Sequence, residues 1–278
     1  MAFRADGNRL ALGSADRDLV LWDTSVPSRP TRTGTLRRGG GITAAAWNPA
    51  AVALLATISA DGSVATWRIL DDRPPEPTAT MSYSRDRPHH LNWLSGGKHL
   101  VSTTTLGRTT VWDADGRPLV FRGRRVEGLV IGAYGWYDAS VLVSHIGHVE
   151  IWDPATQLAK SRVLPGRVVA AAHSGTLLAV AYHDGHIEII DHDLERRAVI
   201  RHPALTPVRL AFSEDSRALA VAGADGSLAV LGEDHQLWWH RPGDGAVPEG
   251  IAVAAGRLAV VDPDANASLV LLKTGAAA

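Results

Sequence analysis

The sequence predicts an all-β protein, a seven-bladed β-propeller of four-stranded antiparallel blades, and three observations predict it. The first is a unit that returns. Phe3 to Asp23 reads FRADGNRLALGSADRDLVLWD: a short apolar end, a polar Asp-Gly turn, an apolar run, a tight polar turn, and an apolar run closing on Trp-Asp. The second is its spacing. The closing position is held in turn by Trp22, Trp67, Trp112, Trp152, Ile190, Leu231 and Leu272, at steps of 45, 45, 40, 38, 41 and 41 residues. A period near forty with several short strands per unit signals a radial β array, because one unit cannot bury its own faces. The third is length: each apolar run suits a strand and is too short for a stable helix.

The units follow in order, at approximately 1–37, 42–84, 89–122, 126–164, 168–202, 207–241 and 250–273, and together form a single domain over 1–278. Unit one has strands at Arg9–Ser14, Leu19–Trp22 and Thr31–Leu36. Unit two opens with Ile42–Trp47, turns at Asn48-Pro49, and continues through Leu54–Ser59, Val64–Leu70 and, after the Pro-rich acidic loop 71–77, Thr78–Tyr83. Units three to six repeat the pattern. Unit seven supplies Gly250–Ala255, Gly256–Asp262 and Ser268–Lys273, and 242–248 is a Gly/Pro-rich link between blades. A six-bladed arrangement would leave the last two apolar strands without a home. Six residues before the closing position stand Asp16, Asp61, Leu106, Ile146, Asp184, Asp225 and Asn266. The Asp residues read as turn formers that accept nearby backbone N–H groups.

These residues carry a resemblance. LVLWD (19–23), TTVWD (109–113) and VEIWD (149–153) resemble the third strand of the WD-repeat β-propeller family, and FSEDSRALAVAGADG (212–226) resembles its passage from first to second strand. The resemblance covers almost the whole chain. One departure is general: the family's Gly-His before each first strand is missing, its places held by Arg38-Gly39, Pro165-Gly166 and Arg201-His202-Pro203, so the family's His–Ser–Asp–Trp chain is expected to be incomplete in every blade. The family commonly closes by letting an N-terminal strand complete the last blade. Met1-Ala2-Phe3 reads as the tail of such a first strand, and 274–278 is too short for a fourth strand of unit seven. The expectation is an upstream segment of natural polypeptide holding the closing strand.

Composition narrows the function. The net charge is −1 with acids and bases interspersed, which argues against a nucleic-acid stripe. Cys is absent, so there is no thiol chemistry. No signal-peptide core and no apolar run of spanning length occurs, so the expectation is a cytoplasmic protein off the membrane. Arg in excess of Lys, with abundant Ala, suggests a GC-rich bacterial genome. Phosphate-loop, nucleophile-elbow, zinc-hydrolase and dinucleotide motifs are all missing. No enzyme activity, cofactor or metal is expected.

Candidate contact residues come from position. Trp22, Trp67, Trp112 and Trp152 recur at one strand position and read as structural, packing between blades. The pairs His145/His148 and His183/His186 fall in equivalent turns of units four and five. A metal site is the sharper reading of them, exposed turn residues the plainer one, since His-x-x-His across a tight turn lacks the helical spacing of zinc hydrolases. The resemblance implies that the residue before the turn Asp faces partners. These positions are Ala15, Ala60, Thr105, His145, His183 and Ala224, so contacts are expected over units three to five. Arg38, Arg125 and Arg167 precede first strands and offer planar donors on the same face. Trp238-Trp239 lies in an outer strand, where alternation turns one ring in and the other out. The first strands, read as ITAAAW, LVIGAY, RVVAAA, RLAF and GIAVAA, hold almost no chemistry. The resemblance then implies a non-catalytic scaffold for a protein or peptide, as in C-terminal sensor modules of bacterial signalling proteins, where upstream domains of the same polypeptide are candidate partners. The alternative is a propeller enzyme or small-ligand binder using the central channel.

Overall fold

The structure, a computed structural model, describes residues 1–278 apart from 14–17, 39–40, 72, 82–86, 95, 124–128, 137–138, 203–204, 214, 263–266 and 273–278. Among the described residues there is no helix. Blade one is β1 (Ala2–Phe3), β2 (Arg9–Gly13), β3 (Leu19–Asp23) and β4 (Thr31–Leu36). Blade two is β5 (Ile42–Trp47), β6 (Leu54–Ser59), β7 (Val64–Arg68) and β8 (Glu76–Met81). Blade three is β9 (His90–Trp93), β10 (His99–Thr103), β11 (Thr109–Asp113) and β12 (Pro118–Arg122). Blade four is β13 (Val130–Trp136), β14 (Ala139–Ser144), β15 (His148–Trp152) and β16 (Ala159–Val163). Blade five is β17 (Val168–His173), β18 (Leu178–Tyr182), β19 (Ile187–Ile190) and β20 (Arg196–Ile200). Blade six is β21 (Pro207–Phe212), β22 (Leu219–Gly223), β23 (Leu228–Leu231) and β24 (Leu237–Arg241). Blade seven is β25 (Gly250–Ala254), β26 (Arg257–Val261) and β27 (Ala267–Leu271).

Every sheet is an antiparallel meander with its strands in chain order. Six have four strands, and the seventh has three among the described residues. Seven consecutive meanders of this kind are the blades of a seven-bladed β-propeller, the class that the forty-residue period predicts. The expected start of unit four at Val126 falls outside the described residues, and β13 begins at Val130. In five blades the register between third and fourth strands shifts just before the closing residue, as between Thr66 and Trp67. Such a bulge adds local twist and turns the outer strand away from its neighbour.

The chain forms two compact units: residues 1–4 with 8–164, and residues 5–7 with 165–278. In the first unit, side-chain alternation assigns each strand face to one neighbour. Leu55, Ala65 and Trp67 of blade two join Leu19, Leu21 and Leu36 of blade one. The opposite faces of the same strands send Ala56, Ile58 and Val64 against Leu91, Trp93, Leu100 and Trp112 of blade three. Trp152 of blade four packs in turn on Leu94, Val101 and Val111. So three of the four repeat Trp residues stand at the joint with the preceding blade, and all three are buried. The second unit does the same with aliphatics: Ile187 and Ile189 of blade five meet Leu219, Val221 and Leu231 of blade six, and Leu228 and Val230 meet Leu258 and Val260 of blade seven.

Polar groups lock these joints. Trp67 Nε1 donates to Thr57 Oγ1 at 2.9 Å, and Trp112 Nε1 donates to Ser102 Oγ at 2.7 Å. The indole-to-hydroxyl leg of the family's hydrogen-bond chain is therefore present in blades two and three. In blade one the hydroxyl position is Leu12, and Trp22 Nε1 is buried without a partner among the described residues. Trp47 and Trp93, at the ends of β5 and β9, reach back to the carbonyls of Ala2 and Ala46, each at 3.2 Å. Arg122 on β12 forms a buried ion pair with Glu150 on β15, and its guanidinium lies 5.3 Å from the Trp152 ring centroid.

The tight turns need their glycines. Gly62 has φ +87°, and a Cβ there would come within 2.9 Å of the Arg87 side chain, whose Nη1 reaches the Ala60 carbonyl at 3.0 Å. Gly226 has φ +84°, and a Cβ would come within 2.8 Å of the Ala246 carbonyl, because loop 242–248 folds over that turn. Only glycine tolerates both the left-handed backbone and the close approach.

Candidate interaction surface

The site is built where blade three meets blade four, within the first unit. The turn after β10 sends the Thr105 carbonyl to the amide of Val130, at 2.7 Å. The residue before it, Leu129, exchanges two bonds with the turn after β14. The His145 amide donates to the Leu129 carbonyl at 3.1 Å, and the Leu129 amide donates to His145 Nδ1, also at 3.1 Å. The outer side of the same turn is tied by Leu164, whose amide reaches the Gly147 carbonyl at 2.7 Å. Thr105, Leu129, His145, Ile146 and Val163 therefore belong to one bonded neighbourhood. Three of them are aliphatic and turned to solvent: Leu129 is 52%, Ile146 47% and Val163 76% exposed. Isolated exposed aliphatics are ordinary, whereas three along one bonded path of turns make a candidate contact site.

The backbone half of this arrangement recurs. In blade two the amide of Ala60 bonds to the Gly41 carbonyl, in blade five His183 to Arg167, and in blade six Ala224 to Thr206, at 2.8–3.0 Å. Arg167 and His183 thus stand side by side in the second unit, both exposed. No side-chain hydrogen bond of His183 occurs among the described residues, whereas His145 is tied through its ring. The sequence treated the two histidines alike, and the structure separates them.

The other candidate residues are placed as follows. Arg38 lies over the Trp67 ring, 5.9 Å from its centroid, with Nη1 and Nη2 at 3.4 Å from Thr80 and Ser63 hydroxyls, so it braces blade two. Arg125 and Asp16 lie outside the described residues. Asp61 Oδ1 accepts the Ser63 amide at 2.8 Å and its hydroxyl at 2.7 Å, Asp225 Oδ1 accepts the Ser227 amide at 2.9 Å, and Asp184 Oδ1 accepts the His186 amide at 3.3 Å. The Ser63 and Ser227 hydrogen bonds hold Asp61 and Asp225 below the usual carboxylate range. Desolvation pushes the Asp184 carboxyl up, but the bonds from His186 together outweigh it and hold the group low. His186 stacks on Tyr182 at 4.2 Å, and the Tyr182 hydroxyl donates to the buried carboxylate of Glu188 at 2.6 Å. Trp239 packs half-buried against the joint of blades six and seven, while Trp238 is 38% exposed with its indole against Gly232.

Among the described residues the cluster with metal-ligand spacing is Asp191, His192 and Asp193. Asp191 is already committed there: Oδ1 accepts the amides of Asp193 and Glu195, each at 2.9 Å, and Oδ2 pairs with Arg197. That set fits a turn better than an ion.

Sequence reasoning missed the polar residues on the first strand of blade three. HLNW carries two polar residues at strand period, and both reach blade four. His90 Nε2 donates to the Val130 carbonyl at 3.3 Å, and Asn92 Nδ2 donates to the Ala133 carbonyl. The alternating polar pattern was the available signal. Burial lowers the His90 pKa and raises that of the Tyr134 phenol on β13.

The class defined by this fold and site is a β-propeller presenting a side-chain surface on its connecting turns. No family model matches the chain. A protein of Chlamydomonas reinhardtii described as a ribosome biogenesis protein WDR12 homolog is 33% identical over 92 residues, which is 32% of this chain and 20% of that protein. The chain thus matches about a fifth of that relative's length. That similarity and the seven meander sheets support a WD-repeat type of propeller.

Proposed function

We infer that the chain is a non-catalytic scaffold that binds a protein or peptide through the surface of Thr105, Leu129, His145, Ile146 and Val163. The observation that carries this reading is that three exposed aliphatics lie on segments bonded to one turn. Arg167 and His183 are the second contact pair. The reading is supported by the similarity to a WD-repeat protein and by the lack of enzyme motifs. The small-ligand alternative has His90 and Asn92 in its favour, but both are spent on backbone carbonyls. Composition and the resemblance support a finer reading, a cytoplasmic regulatory module of a bacterial signalling protein. No helix of the described residues is long and apolar enough to cross a membrane.

The test is a comparison of wild type with Leu129→Asp/Ile146→Asp/Val163→Asp in quantitative affinity capture from the native host, followed by calorimetry with the purified partner. Arg32→Glu, on the outer strand of blade one, serves as the control. A partner lost by the triple variant and kept by the control supports the surface. Equal binding by all three proteins refutes it.

A further inference from the structure

Two histidines, one from blade three and one from blade four, hold the start of β13. From blade three, His90 Nε2–H donates to the Val130 carbonyl at 3.3 Å. From the turn after β14, His145 Nδ1 accepts the Leu129 amide at 3.1 Å. The two rings have opposite duties. A ring nitrogen facing a carbonyl must carry a proton, and one facing an amide N–H must be bare. His90 therefore performs its task as a neutral or a charged ring, and burial favours the neutral one. His145 performs its task only while Nδ1 is unprotonated. A proton there would set two N–H donors against each other and leave the Leu129 amide without its acceptor.

We propose that His145 is a pH-sensitive latch on the candidate surface, closed when the ring is neutral and open when it is protonated. Closed, it fixes Leu129 beside Ile146. Open, it frees the Leu129 amide and loosens the aliphatic cluster. The regulatory meaning rests on the surface being a binding face, but the latch itself is a property of the chain alone. The titratable and charged groups around it are His90, through the Val130 carbonyl, His148 at the start of β15, and Arg108, which closes the turn of Thr105. Arg124, Arg125 and Glu127 precede Leu129 in the chain and lie outside the described residues. Histidine is the side chain type whose charge ordinarily changes between about pH 5 and 8, which sets the range of the test.

The experiment is amide hydrogen exchange at Leu129, read by NMR on the full chain without partner and corrected for intrinsic exchange. His145→Asn is the informative variant, because its side-chain oxygen takes the place of Nδ1 as an acceptor and does not titrate. Wild-type protection should fall about tenfold or more between about pH 7.5 and 5.5, since local opening then replaces a bonded amide. His145→Asn should hold its protection across that range, and His145→Ala should lack it throughout. Protection that is flat in wild type, or that falls in parallel in His145→Asn, overturns the latch. A working latch together with undiminished binding by the triple Asp variant would refute the surface and leave the latch standing. The converse result would separate them the other way.

Discussion

Thr57→Val tests the joint between blades one and two at one atom. Thr57 is fully buried on β6, Trp67 is 6% exposed on β7, and their Nε1–Oγ1 bond is 2.9 Å long. Valine has the shape of threonine, so packing is kept and only the acceptor goes. The indole N–H is then buried without a partner, at a cost of about 1–3 kcal/mol. Removing a buried hydroxyl returns part of that, which leaves about 1–2 kcal/mol net. At this chain length the shift in unfolding temperature is roughly 2–6 °C. Urea unfolding followed by Trp fluorescence measures the loss, and a double-mutant cycle with Trp67→Phe isolates it. In the Trp67→Phe background there is no N–H to orphan, so Thr57→Val should cost nothing or stabilise. Trp22 already lives in the state this variant creates, opposite Leu12, so the fold tolerates one such defect. Equal costs of Thr57→Val in both backgrounds, or no cost in either, would refute the reasoning.

Two further outcomes are expected. Arg122→Met should destabilise by about 3–5 kcal/mol in urea unfolding, because it leaves the Glu150 carboxylate buried and unpaired; Arg122→Met/Glu150→Leu should recover most of the loss, and a single variant within about 1 kcal/mol of wild type would contradict a buried pair. Burial lowers the His173 pKa to about 3, while the unfolded value is about 6.5. The unfolded chain therefore takes up a proton first, so the stability from this residue is full above about pH 6.5 and is lost as pH falls toward 3. His173→Gln should flatten the stability profile between about pH 4.5 and 6.5, above the carboxylate range, and an unchanged slope would sink the assignment.

The fold was legible because it is written redundantly. Seven closing residues at near-constant spacing define seven third strands, and any one could be lost, as Trp is at Ile190, Leu231 and Leu272, without losing the period. The aliphatic replacements work because the position needs bulk at a joint, as Leu231 against blade five demonstrates. The polar chain was less legible. The missing Gly-His was plain in the sequence, but the surviving leg from Trp67 to Thr57 depends on a diagonal pairing across β6 and β7. A residue ten positions before the closing Trp shows it only once the register is known.

Only part of the proposed surface is named by repeat position: Thr105 and His145 come from it, whereas Leu129, Ile146 and Val163 come from the structure. Thr105 and His145 are candidates because the resemblance assigns partner contacts to their turn position. Their link is not encoded in the period, because it runs through Leu129 and Val130, which repeat counting reads only as the opening of a first strand. The ring of His145 bonds to the chain in front of its own blade, a contact sixteen residues apart that no periodicity encodes. His90 belongs to the same neighbourhood from the preceding blade, forty residues from Val130. A repeat protein hides such chemistry behind its own regularity: the period explains what is common to the blades, so what distinguishes one blade appears as a departure from it. HLNW in blade three and the paired histidine turns in blades four and five are departures of that kind. The five first strands that read as nearly free of chemistry do not include HLNW. The alternation of polar and apolar residues within HLNW, judged alone, points both polar side chains the same way, and the structure carries both to blade-four carbonyls.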